Sequence, residues 1–174
     1  MFQVYTDTFF FTATINSWQS LLEEDAFKEI VIESLEYMCK VKRIELYSFV
    51  VMPNHIHLLF TLLNTEKQAA FQRDFLKFTS QQIIKALINS NQLELLGQFK
   101  STQKDRIYHI WERRPNWIRV NSIKILVQKV NYIHQNPLQE HWKLVSKEQD
   151  YFWSSASFYE LDDNRFSFLT NYFD

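Results

Sequence analysis

Two histidines one residue apart are the part of this sequence best suited to chemistry. His55 and His57 lie in the run MPNHIHLL, where the surrounding apolar residues indicate a strand. On a strand, residues i and i+2 project from the same face, so the two imidazoles would lie side by side and could bind one metal ion. An arbitrary histidine pair of this spacing is more often just part of a polar sheet face. The pair alone therefore leaves both interpretations open.

A tyrosine and an asparagine occur at a second suggestive spacing, in the run YIHQNP. Tyr132 and Asn136 are four residues apart, so they share a face if the run is helical, whereas His134 falls on a different face. Because Pro137 disfavours helical geometry in the residue before it, we expect Asn136 to lie just past the helix end. A tyrosine hydroxyl, with a pKa of about 10, is a weak nucleophile unless a group such as a bound cation assists it. Without such a context, Tyr132 would more often be a core residue.

In this order, the two runs resemble the single-tyrosine HUH transposases, and especially the REP-associated tyrosine transposases. The resemblance extends to FFFTATI near the start and YFWSS near the end, so it spans most of the chain. It implies a DNA strand-transfer enzyme in which His55, His57 and Asn136 bind Mg²⁺ or Mn²⁺. Tyr132 would be the nucleophile and would form a covalent phosphotyrosine. The implied substrate is single-stranded DNA with hairpin structure.

The implied ligand set of two imidazoles and one amide oxygen is incomplete and leaves room for phosphate oxygen and water. Because imidazole suits Mn²⁺ better than Mg²⁺, we expect Mn²⁺ to support activity at least as well. Two other functions remain open from the sequence. One is a non-catalytic single-stranded nucleic-acid-binding protein derived from a transposase. The other is a zinc hydrolase built on His55 and His57, although no carboxylate partner is evident nearby.

Charge is unevenly distributed along the 174 residues. The totals, 19 Lys and Arg against 20 Asp and Glu, do not suggest a nucleic-acid binder. Residues 61–143, however, hold 13 basic and 6 acidic residues, whereas residues 1–60 hold 4 and 8. Cations and aromatic residues alternate over 98–130, which is typical of single-strand binding, although a solvated surface with core tryptophans would look similar. The predicted DNA-binding residues are Arg106, Arg113, Arg114, Trp117, Arg119, Lys124 and Lys129.

Composition excludes several other classes of protein. The single glycine, Gly97, rules out a P-loop and a glycine-rich dinucleotide-binding motif. The single cysteine, Cys39, cannot form an internal disulfide and favours a reducing compartment. The sequence shows neither a signal-peptide pattern nor a long apolar run, so we expect a cytoplasmic protein that does not enter membranes. A homodimer is a possible assembly.

Hydrophobic periodicity predicts the elements that would position these residues. The predicted strands are 9–15, 44–52, 55–62 and 107–111, and the predicted helices are 20–39, 67–90 and 122–135. The second helix would bury Phe71, Phe75, Phe78, Ile83 and Leu87. The order indicates an α+β fold with a ferredoxin-like antiparallel sheet (βαββαβ), helices on one face and an added helix carrying Tyr132. We expect one domain over 1–174, with 144–174 as an acidic, aromatic C-terminal extension.

Overall fold

Residues 7–173, the part of the chain that the computed structural model describes, form a four-stranded antiparallel sheet with helices packed on it. The strands are β1 (Thr8–Thr14), β2 (Ile44–Val51), β3 (His55–Leu62) and β4 (Asn116–Arg119). Their order is β2-β3-β1-β4. Both β1 and β2 pair antiparallel with β3, so they run parallel to each other with β3 between them. This is the split βαβ arrangement, and it confirms the ferredoxin-like prediction.

Five α-helices accompany the sheet over these residues. They are α1 (Asp25–Lys40), α2 (Gln68–Asn89), α3 (Leu93–Gly97), α4 (Ile123–Gln135) and α5 (Ala156–Leu161). The start of α4 is fixed by Ser122, whose side-chain oxygen accepts a hydrogen bond from the Ile125 backbone N–H. Within the described range, no helix is long and apolar enough to cross a membrane.

An aromatic core lies between the sheet and α2. Phe11 of β1 and Phe60 of β3 are fully buried, and their rings lie 5.7 Å and 4.6 Å from the Phe71 ring. The prediction that Phe78 belongs to this face is wrong, because Phe78 is 49% exposed. Thr79 takes the buried place, since the contacting stripe follows a strict four-residue spacing, and its hydroxyl accepts a hydrogen bond from the Trp111 indole N–H.

The fourth strand is not where the sequence predicted it. Residues 107–111 form only isolated bridges, and Ile107 is 71% exposed while Trp111 packs into the core. The ladder with β1 is made instead by Asn116–Arg119. This edge strand has only four residues, three of them exposed, so it carries little of the periodic hydrophobic signal by which strands are recognised. The order of elements is unchanged by the shift.

The other face of the sheet is covered by α4. Alternation along the strands turns Phe10 and His57 away from α2. Their ring centroids lie 5.8 Å and 5.2 Å from that of Tyr132 on α4. The two faces of one sheet therefore have different roles: one carries the aromatic core, and the other carries the histidines and the tyrosine.

The segment after residue 143 packs along the β2 edge. The Val51 N–H donates to the Trp153 carbonyl at 2.8 Å, and the Ser155 N–H donates to the Phe49 carbonyl at 3.0 Å. His134 of α4 joins this contact, since its Nε2 lies 3.1 Å from Ser48 Oγ and 2.9 Å from Ser155 Oγ. His134 is thus buried on the core side of α4, away from Tyr132 as the helical spacing predicted.

Candidate active site

The two histidines lie side by side on β3. The ring centroids of His55 and His57 are 4.7 Å apart, and both residues are buried. Burial lowers the pKa of His55 to about 4, which Asn136 partly opposes. Burial, and then the neighbouring His55 and Lys129, lower the pKa of His57 to about 3. Both imidazoles are therefore neutral at pH 7, the form that binds metal ions.

Each imidazole is held through Nδ1. His57 Nδ1 lies 2.7 Å from the Thr12 hydroxyl on the adjacent strand, and His55 Nδ1 lies 2.7 Å from Asn54 Oδ1. Sequence reasoning missed both partners. Asn54 stands next to the first histidine in MPNH, so its position was a usable signal. Thr12 becomes a partner only through the register that places it opposite His57, and the sequence does not specify that register.

Tyr132 reaches the same place from α4. Its ring centroid lies 5.2 Å from that of His57, and the residue is 43% exposed. Lys129, one helical turn earlier, places its ammonium 5.7 Å from the Tyr132 ring centroid and 4.5 Å from that of Phe10. The structure therefore brings the predicted nucleophile, the predicted histidine pair and one predicted DNA-binding lysine together within one chain.

Asn136 completes the group. The helix α4 ends at Gln135, so Asn136 lies just past the helix end as expected, although it keeps helical dihedral angles (φ −56°, ψ −44°) and begins a 3₁₀ turn. The residue is 2% exposed, and its Oδ1 has no hydrogen-bond partner. Its amide lies near enough to His55 to raise the pKa of that imidazole, against the larger effect of burial. A buried amide oxygen without a partner is costly, and a cation would satisfy it.

These side chains line a cavity of about 510 Å³, here called the histidine cavity. Its walls also include Trp18, Gln139, His141 and Trp142. In residues 7–173, no group of three or more His, Cys, Asp or Glu side chains could hold a metal ion. The donors present are instead two imidazoles and one amide oxygen, which fit a divalent cation that keeps phosphate or water ligands. A zinc hydrolase would lack a carboxylate here.

Most of the other predicted DNA-binding residues lie elsewhere. Arg106 and Arg113 line a second cavity of about 880 Å³, here called the basic groove, which is formed by α2 and residues 105–113. The basic groove shares no lining residue with the histidine cavity. Arg114 and Lys124 are exposed at the surface. Arg119 lies 3.4 Å from Asp7 and stacks over Phe9, on the face of β4 opposite the histidines.

Trp117, predicted from the sequence to bind DNA or else to be a core tryptophan, is partly buried and packs against the aromatic core. Its ring centroid lies 4.7 Å from that of Phe11 and 5.9 Å from that of Phe71. Its indole N–H donates to Gln72 Oε1 at 2.9 Å. Of the two interpretations given for the aromatic residues over 98–130, packing against the core is the one that Trp117 follows.

Comparisons with known proteins agree with this geometry. The family model of IS200-like transposases matches residues 4–136, a range that contains both histidines, Tyr132 and Asn136. A REP-associated tyrosine transposase bound to a REP hairpin is similar in structure, with a TM-score of 0.60 and 20% sequence identity over 86% of this chain and 76% of that one. A presumed transposase from Deinococcus radiodurans R1 has a TM-score of 0.50 and 18% identity, over 78% of this chain and 94% of that one.

No curated protein matches the sequence. The two solved structures share the fold, whereas the family model covers most of the sequence. The chain belongs to the IS200-like transposase family.

Proposed function

We propose that this protein is a metal-dependent endonuclease and strand-transferase for single-stranded, hairpin-forming DNA, acting through a covalent phosphotyrosine. The observation that carries the proposal is the histidine cavity, where the Tyr132 ring lies 5.2 Å from His57 and beside the buried, unpartnered Asn136 Oδ1. Membership of a transposase family supports DNA as the substrate. The hairpin held by the similar REP-associated transposase supports hairpin DNA.

The cation would be held by His55, His57 and Asn136. When bound, it would polarise the scissile phosphate and neutralise developing charge on the phosphate oxygens. The imidazoles are already neutral at pH 7, so no proton need leave them. Because two of the three ligands are nitrogen, we expect Mn²⁺ to support cleavage at least as well as Mg²⁺.

The remaining steps of the proposed reaction are assigned to Tyr132 and Lys129. The Tyr132 oxygen forms a bond to phosphorus while the bond from phosphorus to its leaving-group oxygen breaks, which leaves a phosphotyrosine and a free hydroxyl on the DNA. The phenolic proton leaves to water, which reaches this half-exposed side chain. Lys129 supplies positive charge beside the incoming phosphate. Attack by a DNA hydroxyl on the phosphotyrosine reverses the step and joins strands.

Further binding residues belong to this proposal. Arg106 and Arg113 would contact DNA in the basic groove, and the exposed Arg114, Arg119 and Lys124 would contact phosphates outside both cavities. Such contacts would position the strand without reading its sequence.

The experiment is capture of a covalent protein–DNA adduct. The protein is incubated with Mn²⁺ and a pool of single-stranded oligonucleotides that carry a hairpin with randomised flanks, and products are separated under denaturing conditions. Wild type should form an adduct, which EDTA prevents, and Tyr132→Phe should form none while it binds the pool as before. The control Tyr37→Phe removes the hydroxyl of an exposed tyrosine on α1 and should keep the adduct.

Three results would contradict parts of this proposal. An adduct that persists in Tyr132→Phe would exclude this nucleophile. Cleavage that survives chelation would exclude the cation. Binding by wild type without any adduct would favour the non-catalytic single-strand-binding protein instead.

A further inference from the structure

The hydrogen bonds to Nδ1 decide which nitrogen of each imidazole is free. A neutral imidazole carries one proton, and it binds a cation only through the nitrogen that lacks it. The partner of the other nitrogen therefore selects the form that can bind. In this protein the two histidines have partners of different chemistry, namely the Asn54 amide oxygen for His55 and the Thr12 hydroxyl for His57.

The Asn54 amide has one orientation that satisfies both of its ends. Its Nδ2 donates to the Trp18 carbonyl at 3.3 Å, so its Oδ1 is the atom that faces His55. The backbone around it is anchored as well, since the Ile15 N–H donates to the Asn54 carbonyl and the Trp18 N–H donates to the Ile15 carbonyl. Because an amide oxygen can only accept, His55 must donate from Nδ1.

The Thr12 hydroxyl imposes no such choice. A hydroxyl can donate or accept, so its 2.7 Å contact with His57 Nδ1 holds the ring without dictating the proton. Only Asn54 therefore fixes the position of the proton on its histidine, and that histidine is His55.

The consequence reaches Asn136. With the His55 proton held on Nδ1, Nε2 has no hydrogen to offer to the neighbouring amide of Asn136. This agrees with the lack of a hydrogen-bond partner for the buried Asn136 Oδ1. A lone pair on Nε2 and a lone pair on Oδ1 are then left without a proton, which suits a cation.

We propose that Asn54 is a positioning residue that fixes His55 in its Nδ1–H tautomer and so keeps His55 Nε2 and Asn136 Oδ1 free for the divalent cation. The role of these free atoms in binding a cation rests on the proposed function, whereas the tautomer is a property of the metal-free protein. The two can therefore fail separately.

The first measurement is long-range ¹⁵N–¹H correlation NMR of metal-free protein labelled at histidine, at pH 7.5. Wild-type His55 should show a protonated Nδ1 and an unprotonated Nε2. Asn54→Leu, which has no acceptor, should give a mixture of tautomers or the opposite one. Asn54→Asp keeps an acceptor in place and should retain the wild-type pattern. Asn121→Leu, which changes an exposed asparagine before α4, is the control and should change nothing.

The second measurement is Mn²⁺ affinity, from the electron paramagnetic resonance signal of free Mn²⁺. Loss of a residue that orients a metal ligand typically costs about 10–100-fold in affinity, and we expect this loss in Asn54→Leu but not in Asn54→Asp. Thermal unfolding of each variant identifies any that does not fold, in which case the Asp variant and wild type still test the tautomer.

A wild-type His55 protonated at Nε2, or an Asn54→Leu variant with the wild-type tautomer and Mn²⁺ affinity, would overturn the inference. If wild type shows the expected tautomer but binds neither Mn²⁺ nor Mg²⁺, the cation of the proposed function is excluded. The role of Asn54 in keeping atoms free for that cation is then excluded as well.

Discussion

The histidine cavity and the basic groove differ in almost every physical respect. Among the described residues that line the histidine cavity, Lys129 is the one Lys, Arg, Asp or Glu side chain. The basic groove carries Arg73, Lys77, Arg106 and Arg113 against Asp105 and Glu112. The histidine cavity lies under α4, whereas the basic groove lies along α2, which packs on the other face of the sheet.

The difference separates the site proposed for the chemistry from most of the positive charge proposed to bind DNA. Neutral, buried imidazoles suit a cation site, and several arginine charges beside them would repel the cation. Phosphate contacts act over a wide surface and do not need that precision. In this protein, we expect changes in the histidine cavity to remove cleavage and changes in the basic groove to weaken binding.

The largest effect should come from His57→Ala. It removes one proposed ligand and the ring that contacts Tyr132, so adduct formation should fall by about a thousandfold or more. DNA affinity, measured by fluorescence anisotropy in EDTA, should stay within about threefold because the basic groove is intact. A comparable loss of affinity would show that the two regions are not separate.

Trp117→Ala tests the boundary between the two regions. Because this ring packs on Phe11 and Phe71, its removal should lower the free energy of unfolding by about 3–5 kcal/mol. Trp117→Phe keeps most of the packing but loses the hydrogen bond to Gln72, so it should lower the free energy of unfolding by about 1 kcal/mol. Urea unfolding measures both values. Lower DNA affinity at unchanged stability would instead restore the stacking role predicted from the sequence.

Charge reversal in the basic groove should have a smaller effect, confined to binding. Lys77→Glu with Arg113→Glu should weaken single-strand affinity by roughly 10–100-fold at low salt, and the slope of log affinity against log salt should fall by about 1.4. Lys40→Glu with Lys147→Glu makes the same change in net charge outside both cavities and serves as the control. The adduct rate at saturating DNA should be unchanged, and a fall in that rate would link the groove to the chemistry.

The smallest effect should come from Ser122→Ala at the start of α4. Loss of the cap should lower the free energy of unfolding by about 1 kcal/mol, and Ser122→Asp should retain most of it. Tyr132 lies almost three turns away, so the adduct rate should remain within about twofold. A larger fall would mean that α4 needs its first turn to hold the tyrosine in place.

Local patterns predicted a good part of this architecture. The i, i+2 spacing placed His55 and His57 on one face, and the four-residue spacing of Tyr132 and Asn136 brought both into one cavity. The ferredoxin-like order followed from hydrophobic periodicity even though the fourth strand was misplaced. These features depend on residues close in sequence, where spacing and geometry are directly related.

The remaining features depend on contacts between distant residues. Thr12 meets His57 across 45 positions, and this pairing is set by strand register. Trp117 packs against the core because it lies on the face of β4 that meets α2. The division of the basic residues between two regions likewise follows from how α2 and residues 105–113 pack, which charge counts along the chain do not reveal.

The contact among Ser48, His134 and Ser155 has a consequence for the order of events during synthesis. The chain leaves the ribosome from its N-terminus, so β2 and α4 emerge before the segment that joins them. Until residue 155 has emerged, the helix that carries Tyr132 lacks its hydrogen bond to that segment, and β2 lacks its outer neighbour. A site proposed to cut DNA is therefore fully supported only after all four strands of the sheet and α4 have been made.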